Sequence, residues 1–264
     1  MEESMSDEAV ILEVKDRIGT IKLNRPDKLN SMDTEMLPVF QEYVNQVKNN
    51  KDLRCLIITG SGNTFCVGAN FRGSMTNDEG RLPHEIFMDF YRPFLTIQEL
   101  EMPIIAAMNG HAIGGGFGLS LICDIRIANK DSKYGANFAR LGVHSGMAIS
   151  YMLPRIVGLP LANELLFTGR LISGEKAAEM GLVNYAVEAD EVLHKAWELA
   201  LEIEGCAPVA VRMMKRSIYT GLDWNPTHAA ELEAHFQSRT FEMEDAKEGI
   251  SAFLEKRKPT FYGR

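Results

Sequence analysis

The stretch Pro103-Ile-Ile-Ala-Ala-Met-Asn-Gly-His-Ala-Ile-Gly-Gly-Gly-Phe-Gly-Leu-Ser-Leu-Ile-Cys-Asp124 decides the fold of this chain. The apolar run Ile104 to Met108 predicts a buried strand, and Asn109-Gly110 predicts a turn after it. Three consecutive glycines, residues 114–116, then lead into a second apolar run, which predicts a buried helix. The first N–H groups of a helix have no internal partner and lie at the positive end of its dipole. This helix entrance is therefore a candidate site for binding an anion or stabilising an oxyanion.

Three other interpretations of the stretch have to be weighed. Residues 103–123 contain no Asp, Glu, Lys or Arg and are long enough for a membrane span, but their glycines, Asn109 and His111 argue against one. A dinucleotide fingerprint G-x-G-x-x-G would need a third glycine where this chain has Leu119. A purely structural role for the glycines, as close contacts between helix and strand, remains open on composition alone.

The composition indicates an intracellular, acidic, globular protein. With 264 residues and 45% hydrophobic content, the chain can bury one large core. A net charge of -8 argues against a nucleic-acid partner and against an anionic membrane surface. The four cysteines, 55, 66, 123 and 206, have no metal-type or disulfide-type spacing and are expected to be reduced. We therefore expect a cytoplasmic location, with no nucleic-acid partner, no membrane partner and no metal.

The order of the elements predicts an α/β fold with a mainly parallel sheet. A hairpin is expected at Val10–Val14 and Ile18–Leu23, followed by a helix and a short apolar strand from Cys55. After Ala189 the pattern is entirely helical. We divide the chain into a disordered acidic tail (1–9), a core (10–204) and a helical C-terminal region (205–264). The apolar faces of that region have to pack on the protein itself or on a neighbouring subunit.

Several local signals refine this outline. Ser31 or Asp33 is expected to cap the first helix, and Ser173 a later one that Gly181 ends. Breaks at Pro154 and Gly158 predict two short helices, 150–156 and 161–167. A further helix is expected over 83–100.

Seven motifs, in order and spanning nearly the whole chain, together resemble the enoyl-CoA hydratase/isomerase (crotonase) family. They are Asn24-Arg-Pro with Asn30, Phe65-Cys-Val-Gly-Ala-Asn70, Asn109-Gly-His-Ala-Ile-Gly-Gly-Gly116 with Cys123-Asp124, Leu153-Pro-Arg with Gly158, Thr168-Gly-Arg-Leu-Ile-Ser173, Ala177-Ala-Glu-Met-Gly-Leu-Val183, and Glu248-Gly-Ile-Ser-Ala-Phe-Leu-Glu-Lys-Arg-Lys-Pro259. The resemblance implies a crotonase-like spiral of strand-strand-helix units with a helical C-terminal trimerisation region. It also implies a homotrimer or a dimer of trimers.

The resemblance further implies an acyl-CoA substrate, with no cofactor beyond the coenzyme A moiety of that substrate. Carried over by motif, the backbone N–H groups of Ala69 and Gly115 form the oxyanion hole that polarises the thioester carbonyl. The segment Ala69, Asn70, Phe71 and Arg72 would run alongside the coenzyme A. Four cationic side chains are candidates for binding the phosphates of the coenzyme A: Arg25, Lys28, Lys256 and Lys258. Each of them is also interpretable as an ordinary solvated surface residue.

The chain departs from the family at both hydratase acids. The two glutamates that activate water and deliver its proton align with Gly118 and Phe138, and some members place an aspartate where this chain has Gly146. None of these three residues has a side chain that can accept or donate a proton. The usual water addition therefore has neither a general base nor a general acid. We assign Gly118 and Phe138 to the acyl pocket, which Phe138 makes more apolar.

Other groups are candidates for the missing proton transfer. Histidine is the side chain best suited to proton transfer near neutrality, so His144 is a candidate, although it is also interpretable as a histidine packed in a turn. The alternatives are a carboxylate from the segment that follows Arg72, which offers Asp78, Glu79 and Glu85, or a group of the substrate itself. Ser145 lacks the G-x-S-x-G context of a nucleophile, and His111 is expected to be structural.

Our leading hypothesis is an acyl-CoA-processing enzyme that stabilises an enolate but lacks the standard hydratase acids. A catalytically silent acyl-CoA-binding paralogue and a slow, nominal enoyl-CoA hydratase are the alternatives.

Overall fold

The computed structural model describes residues 8–69, 80 and 82–264. Within these ranges the strands are β1 (Val10–Lys15), β2 (Ile18–Leu23), β3 (Cys55–Gly60), β4 (Thr64–Cys66), β5 (Ile104–Met108), β6 (His111–Ile113), β7 (Ile125–Asn129), β8 (Lys133–Gly135), β9 (Ile172–Ser173) and β10 (Tyr185–Val187). The helices are α1 (Met36–Asn49), α2 (Pro83–Leu95), α3 (Gly115–Ile122), α4 (Ile149–Thr168), α5 (Gly174–Glu179), α6 (Glu191–Glu204), α7 (Pro208–Gly221), α8 (Pro226–Phe241) and α9 (Glu244–Glu255). Short 3-10 turns occur at Pro26–Lys28, Thr96–Glu99 and Asn137–Leu141.

Strand-strand-helix units build two sheets that lie side by side in the spiral. One sheet has six strands in the order β1-β2-β3-β5-β7-β10, and the other has four in the order β4-β6-β8-β9. In the units β3-β4, β5-β6 and β7-β8 the first strand joins the larger sheet and the second joins the smaller one. All pairings are parallel except β1 with β2 and β8 with β9. The predicted α/β architecture with a mainly parallel sheet is therefore confirmed. Because β4 and β6 are neighbouring parallel strands, the segments that follow them start at the same end of the smaller sheet.

Two apolar cores lie on opposite faces of the six-stranded sheet. The larger one contains Phe40, Phe65, Phe94 and Phe117, whose rings are buried completely or nearly so. The smaller one is formed where α6 packs on β3, β5 and β7. Burial on both faces explains why these central strands are continuously apolar rather than alternating.

Several local predictions are confirmed, and others are wrong for identifiable reasons. The hairpin turn uses Asp16 and Arg17, both with positive φ (49° and 61°), as a type I′ turn requires. Asp33 rather than Ser31 caps α1, because its Oδ1 accepts from the Met36 N–H at 2.9 Å. The range of α4 holds two helices that meet at Gly158, whose φ of 78° and ψ of 161° are not helical, so the predicted break there is confirmed and the predicted break at Pro154 is wrong. Pro154 removes one backbone donor without ending the helix.

Further details concern α2, α5 and the N-terminus. Helix α2 ends at Leu95, earlier than predicted, and tightens into the 3-10 turn. Ser173 caps α5 as predicted, accepting from the Lys176 N–H at 3.2 Å. Residues 8 and 9 of the predicted tail 1–9 are bonded to the rest of the chain, because the Ala9 carbonyl accepts from the Asn24 N–H at 2.8 Å and Glu8 Oε2 accepts from the Tyr43 hydroxyl at 2.8 Å. Residues 1–7 lie outside the described residues.

Charged side chains anchor the C-terminal helices to the core. Lys215 on α7 donates to Asp124 Oδ2 at 2.8 Å, and the Tyr219 hydroxyl donates to Asp124 Oδ1 at 2.6 Å. The buried Asp245 accepts from the backbone N–H groups of Tyr262 and Gly263 at 2.8 and 2.7 Å. The last residues of the chain are therefore held against α9. In the described part of the chain, no helix combines the length and the apolar content that a membrane crossing requires.

Candidate active site

The backbone N–H groups of Ala69 and Gly115 come together where β4 and β6 end. The chains are so close here that a Cβ built on Gly68 would lie 2.7 Å from Gly115 N. A Cβ built on Gly115 would lie 3.8 Å from Ala69 N. The Met32 N–H donates to the Gly68 carbonyl at 2.8 Å, which fixes the peptide that carries the Ala69 N–H. Within the described ranges, neither of these two N–H groups donates a hydrogen bond.

Each glycine of the triplet has a different physical task. Gly114 precedes α3 with φ 59° and ψ -120°, a conformation that a side chain disfavours, and its N–H donates to the Gly135 carbonyl at 2.9 Å. Gly115 is the first residue of α3, so its N–H has no partner inside the helix. Gly116 packs directly on β4, because a Cβ there would overlap the Cys66 carbonyl. The structural interpretation therefore holds for Gly114 and Gly116, and the oxyanion role of the Gly115 N–H stays a prediction.

Cys66 lies beneath this pair but cannot act as a nucleophile in its resting form. Its side chain is buried, and burial raises the pKa of the Cys66 thiol to about 12. The Gly68 N–H donates to Cys66 Sγ at 3.4 Å, which helps to hold the turn before Ala69. A neutral thiol in this position packs as a small apolar group.

Apolar side chains occupy the space at both positions that lack the hydratase acids. Gly118 is in the first turn of α3, where its N–H donates to the Gly114 carbonyl at 3.0 Å. A Cβ built on Gly118 would lie 2.5 Å from Met147 Cβ and 3.2 Å from Ile149 Cγ1. Phe138 is half-buried, and its ring tip, Cζ, lies 3.7 Å from a Cβ built on Gly114. Met147 and Ile149, which sequence reasoning did not single out, therefore form the wall beside the helix entrance.

His144 is exposed and lies on the segment that leads to Met147. Its Nδ1 lies 2.7 Å from the Ser145 carbonyl oxygen, a contact that requires a proton on Nδ1. In the neutral ring the lone pair is then on Nε2, so Nε2 is the atom that would accept a proton. His111 accepts from the Lys133 N–H at 3.0 Å through Nδ1, in keeping with the structural role expected for it.

The cations expected to hold the coenzyme A phosphates fall into two groups. Arg25 and Lys28 lie in the loop before Met32, and Lys28 Nζ is 3.6 Å from an Asp33 carboxylate oxygen. This loop is tied down by the buried Asn30, whose Oδ1 accepts from the Arg25 N–H at 2.8 Å. Lys256 and Lys258 are exposed at the end of α9 and have no ion-pair partner in the described residues. Asn70, Phe71 and Arg72, as well as Asp78 and Glu79, lie outside the described residues.

Two other features are separate from this site. A cavity of about 770 Å³ lies between α7, the end of α3 and the start of α4, against Asp124 and Arg126. None of Ala69, Gly115, Gly118 and Phe138 lines it. Within residues 8–69, 80 and 82–264, no group of three His, Cys, Asp or Glu side chains is placed to hold a metal ion.

Comparisons with known proteins agree with the motifs and the fold. The sequence model of the family described as Enoyl-CoA hydratase/isomerase matches residues 13–264. The chain is 34% identical to the short-chain-enoyl-CoA hydratase of Clostridium acetobutylicum over 252 residues, which cover 94% of this chain and 95% of that protein. It is 34% identical to the crotonyl-CoA hydratase of Syntrophomonas wolfei over 261 residues, covering 98% and 100% of the two chains.

A solved structure of high similarity is that of an enoyl-CoA hydratase from Bacillus anthracis. The two superpose with a TM-score of 0.92 at 32% identity, over 97% of this chain and 100% of that one. The family match begins within β1 and ends at the last residue of the chain, and the structural match covers nearly the whole chain. The chain therefore belongs to the enoyl-CoA hydratase/isomerase, or crotonase, family.

Proposed function

We propose that the protein is an acyl-CoA-processing enzyme that stabilises a thioester enolate with the N–H groups of Ala69 and Gly115. The observation that supports this proposal is the close approach of Gly68 to Gly115, near which two backbone N–H groups have no acceptor in the described residues. A thioester oxygen at that point gains negative charge when the α-carbon loses a proton or another group. Each donor of such a pair contributes about 3–4 kcal/mol to the stabilisation of that charge.

The acyl pocket does not favour standard hydration. Addition of water needs a group that removes a proton from water and a group that protonates the α-carbon. Gly118 and Phe138 supply neither, and Met147 fills the space in which a carboxylate on residue 118 would have to stand. A wall of Phe138, Met147 and Ile149 instead favours an apolar or aromatic acyl chain.

The coenzyme A moiety would extend from the oxyanion hole toward the loop that contains Arg25 and Lys28. Residues 69–72 are expected to run beside it, as the family resemblance implies. Lys256 and Lys258, exposed at the end of α9, are the second pair of candidates for its phosphates. Two expectations remain predictions: that the protein needs no cofactor beyond the coenzyme A of the substrate, and that it is located in the cytoplasm.

Two other functions are carried forward as alternatives. A nominal enoyl-CoA hydratase is favoured by the relatives, because proteins 34% identical to this chain are named short-chain-enoyl-CoA and crotonyl-CoA hydratases. A silent acyl-CoA-binding protein is favoured by the absence of a carboxylate at both aligned positions, Gly118 and Phe138.

Exchange of α-protons distinguishes these functions. The protein is incubated in D2O with a panel of saturated and unsaturated acyl-CoAs, and deuterium at the α-carbon is followed by NMR. We expect exchange on at least one thioester, faster than in buffer. Tight binding without exchange on any of them would identify the silent paralogue, and efficient hydration of crotonyl-CoA would identify the hydratase.

His144→Ala is expected to lower the exchange rate about 10²-fold or more if His144 is the general base or acid. The decrease should appear in the maximal rate, with unchanged affinity for the acyl-CoA. His111→Ala is the matched control, because His111 bonds only to the Lys133 backbone in the described chain. Equal rates in the wild type and His144→Ala would remove His144 from the mechanism.

The C-terminal helices support the proposal of a homotrimer or a dimer of trimers. Phe253 and Leu254 on α9 are 82% and 74% exposed, and Phe241 on α8 is 61% exposed. Apolar side chains this exposed and this close in sequence are typical of a protein interface.

The double substitution Phe253→Asp with Leu254→Asp is expected to convert the oligomer into monomers, measured by light scattering after gel filtration. Two buried charges would make the interface unfavourable by several kcal/mol. Val14→Asp is the control, because Val14 is an exposed apolar residue (53%) on β1, outside the helical region. A wild-type protein that elutes as a monomer at micromolar concentration would contradict the oligomer.

A further inference from the structure

Tyr91 on α2 places its hydroxyl group directly against the backbone of Gly146. A Cβ built on Gly146 would overlap Tyr91 Oη and lie 2.8 Å from Tyr91 Cζ. Residue 146 is where the motif alignment would put the aspartate that some family members have. The phenol of Tyr91 therefore occupies the space that a side chain on residue 146 would need.

The hydroxyl of Tyr91 is polar, partly buried and available. The ring packs against Phe87 and Phe90 of the same helix, with centroids 6.3 and 6.2 Å away. No residue in the described part of the chain makes a hydrogen bond with its hydroxyl, although partly buried tyrosine hydroxyls usually find a partner. Such a group is suited to bond with a ligand.

The environment of Tyr91 keeps it protonated at neutral pH. Burial raises the pKa of the Tyr91 phenol above its ordinary value, and no charged residue contributes to this shift. On α2 itself, Asp89 and Arg92 lie 3.2 Å apart as an ion pair. Helix α3 has no ionisable side chain, and His144, two residues from Gly146, is directed to the Ser145 carbonyl.

Tyr91 also belongs to the same wall as the position of the first missing acid. Met147, which follows Gly146 directly, comes within 2.5 Å of a Cβ on Gly118. Gly118 in turn is one helical turn from Gly114, at the entrance that carries the Gly115 N–H. The Tyr91 hydroxyl is therefore a polar side-chain group beside Gly146, next to the residue, Met147, that packs on Gly118.

We infer that Tyr91 is a catalytic residue that exchanges a proton with the α-carbon of the bound acyl-CoA. When the enolate is protonated, the phenol O–H bond breaks, and the electron pair of the enolate forms the new C–H bond at the α-carbon. The thioester carbonyl is restored, and the phenolate takes a proton from solvent. In the reverse direction the phenolate removes an α-proton while Ala69 and Gly115 hold the enolate oxygen. This inference rests on the proposed enolate chemistry.

Tyr91→Phe keeps the ring and removes only the hydroxyl, so it tests the role directly. We expect the α-proton exchange rate to fall about 10²–10⁴-fold, the range in which general acid–base groups contribute. The dissociation constant of the acyl-CoA, measured by calorimetry, should change less than about threefold. Tyr185→Phe is the matched control, because Tyr185 is exposed on β10 and the Lys195 contact with its ring is kept.

A pH profile separates proton transfer from a structural role. Because exchange begins with removal of a proton by the phenolate, its rate should rise with pH up to the pKa of Tyr91. Site-specific replacement of Tyr91 by 3,5-difluorotyrosine lowers the phenol pKa, so the rise should move to lower pH. This second variant keeps the shape of the side chain and also decides the question if Tyr91→Phe folds poorly.

The possible outcomes distinguish the proposed role of Tyr91 from the proposed enolate chemistry on which it rests. Wild-type exchange that is lost in Tyr91→Phe, with a shifted profile in the fluorinated protein, supports both. Exchange that is unchanged in Tyr91→Phe, or a profile that fluorination does not move, overturns the role of Tyr91 and leaves enolate formation standing. If the wild type exchanges no thioester that it binds, the proposed function fails and the role of Tyr91 with it.

Discussion

Gly68→Ala is expected to lower the rate of α-proton exchange about 10²–10³-fold while the protein still folds. Gly68 has φ +85°, a conformation that costs an L-residue roughly 1–2 kcal/mol. The new Cβ would also lie 2.7 Å from Gly115 N and 3.1 Å from the Ile113 carbonyl oxygen. Because neither neighbour is a flexible side chain, the backbone itself has to move. Either residue 68 turns away, which redirects the Ala69 N–H, or the entrance of α3 shifts with the Gly115 N–H.

The size of the effect follows from the loss of one donor to the oxyanion. A single donor contributes about 2.7–4 kcal/mol, and this corresponds to the expected range of rates. Gly62→Ala is a matched control, because Gly62 also has positive φ (+70°) and a Cβ there would lie 3.1 Å from Pro26 Cβ. The control carries the same kind of backbone penalty at a position away from the paired N–H groups.

Rates of exchange, acyl-CoA affinity and thermal unfolding should be measured for both variants. If the two proteins are destabilised alike but only Gly68→Ala loses exchange, the close approach at Gly68 is functional. If Gly68→Ala exchanges α-protons as fast as the wild type, Ala69 and Gly115 do not form the oxyanion hole.

Local signals in the sequence predict the α/β fold and the glycine-rich entrance of α3, whereas the pairing of the Ala69 and Gly115 N–H groups is implied only by the resemblance to the family. Continuous apolar runs such as Ile104–Met108 mark strands buried on both faces, and glycines mark close backbone approach. The parallel order of the sheet follows from the alternation of strands and helices. Asn30 is recognisable only as part of a motif, yet its amide holds the loop with Arg25 and the turn after β3 through three hydrogen bonds.

The wall of the acyl pocket could not be predicted, because it depends on contacts between distant segments. Met147 looks like any apolar residue in a loop, and nothing in the local sequence indicates that it touches Gly118. Tyr91 lies in a predicted helix among aromatic residues, a pattern that indicates only burial. Its contact with Gly146 joins α2 to the segment before α4. The direction of the His144 ring likewise depends on its bond to the Ser145 carbonyl.

Gly118→Glu places a glutamate at the position of the first hydratase acid. We nevertheless expect this substitution to destabilise the protein without creating hydratase activity. Gly118 is completely buried in α3, and its Cβ alone would lie 2.5 Å from Met147 Cβ. Overpacking of this kind costs roughly 1–3 kcal/mol. A buried carboxylate without a partner adds a further penalty. The free energy of unfolding in urea and the hydration of crotonyl-CoA are the two measurements.

Removing the obstructing side chain should recover part of the loss. In the double variant Gly118→Glu with Met147→Gly, the contact at 2.5 Å disappears, so the two substitutions are expected to be less destabilising together than the sum of their separate effects. Gly205→Ala is the control for a glycine substitution without obstruction. Gly205 has φ -70°, and a Cβ there would meet its nearest atoms at 3.5 Å. Its stability should stay within about 0.5 kcal/mol of the wild type.

The coupling between residues 118 and 147 decides how the missing acid should be interpreted. If the wall is packed as described, the pocket differs from a hydratase pocket at more than residue 118. Met147 and Ile149 occupy the space that a carboxylate and its water would need. Hydratase chemistry would then require at least two changes, and the pocket as it stands serves another acyl-CoA reaction or none. If Gly118→Glu alone is stable and hydrates crotonyl-CoA, the pocket is an ordinary hydratase pocket that lacks one side chain, and the argument for different chemistry fails.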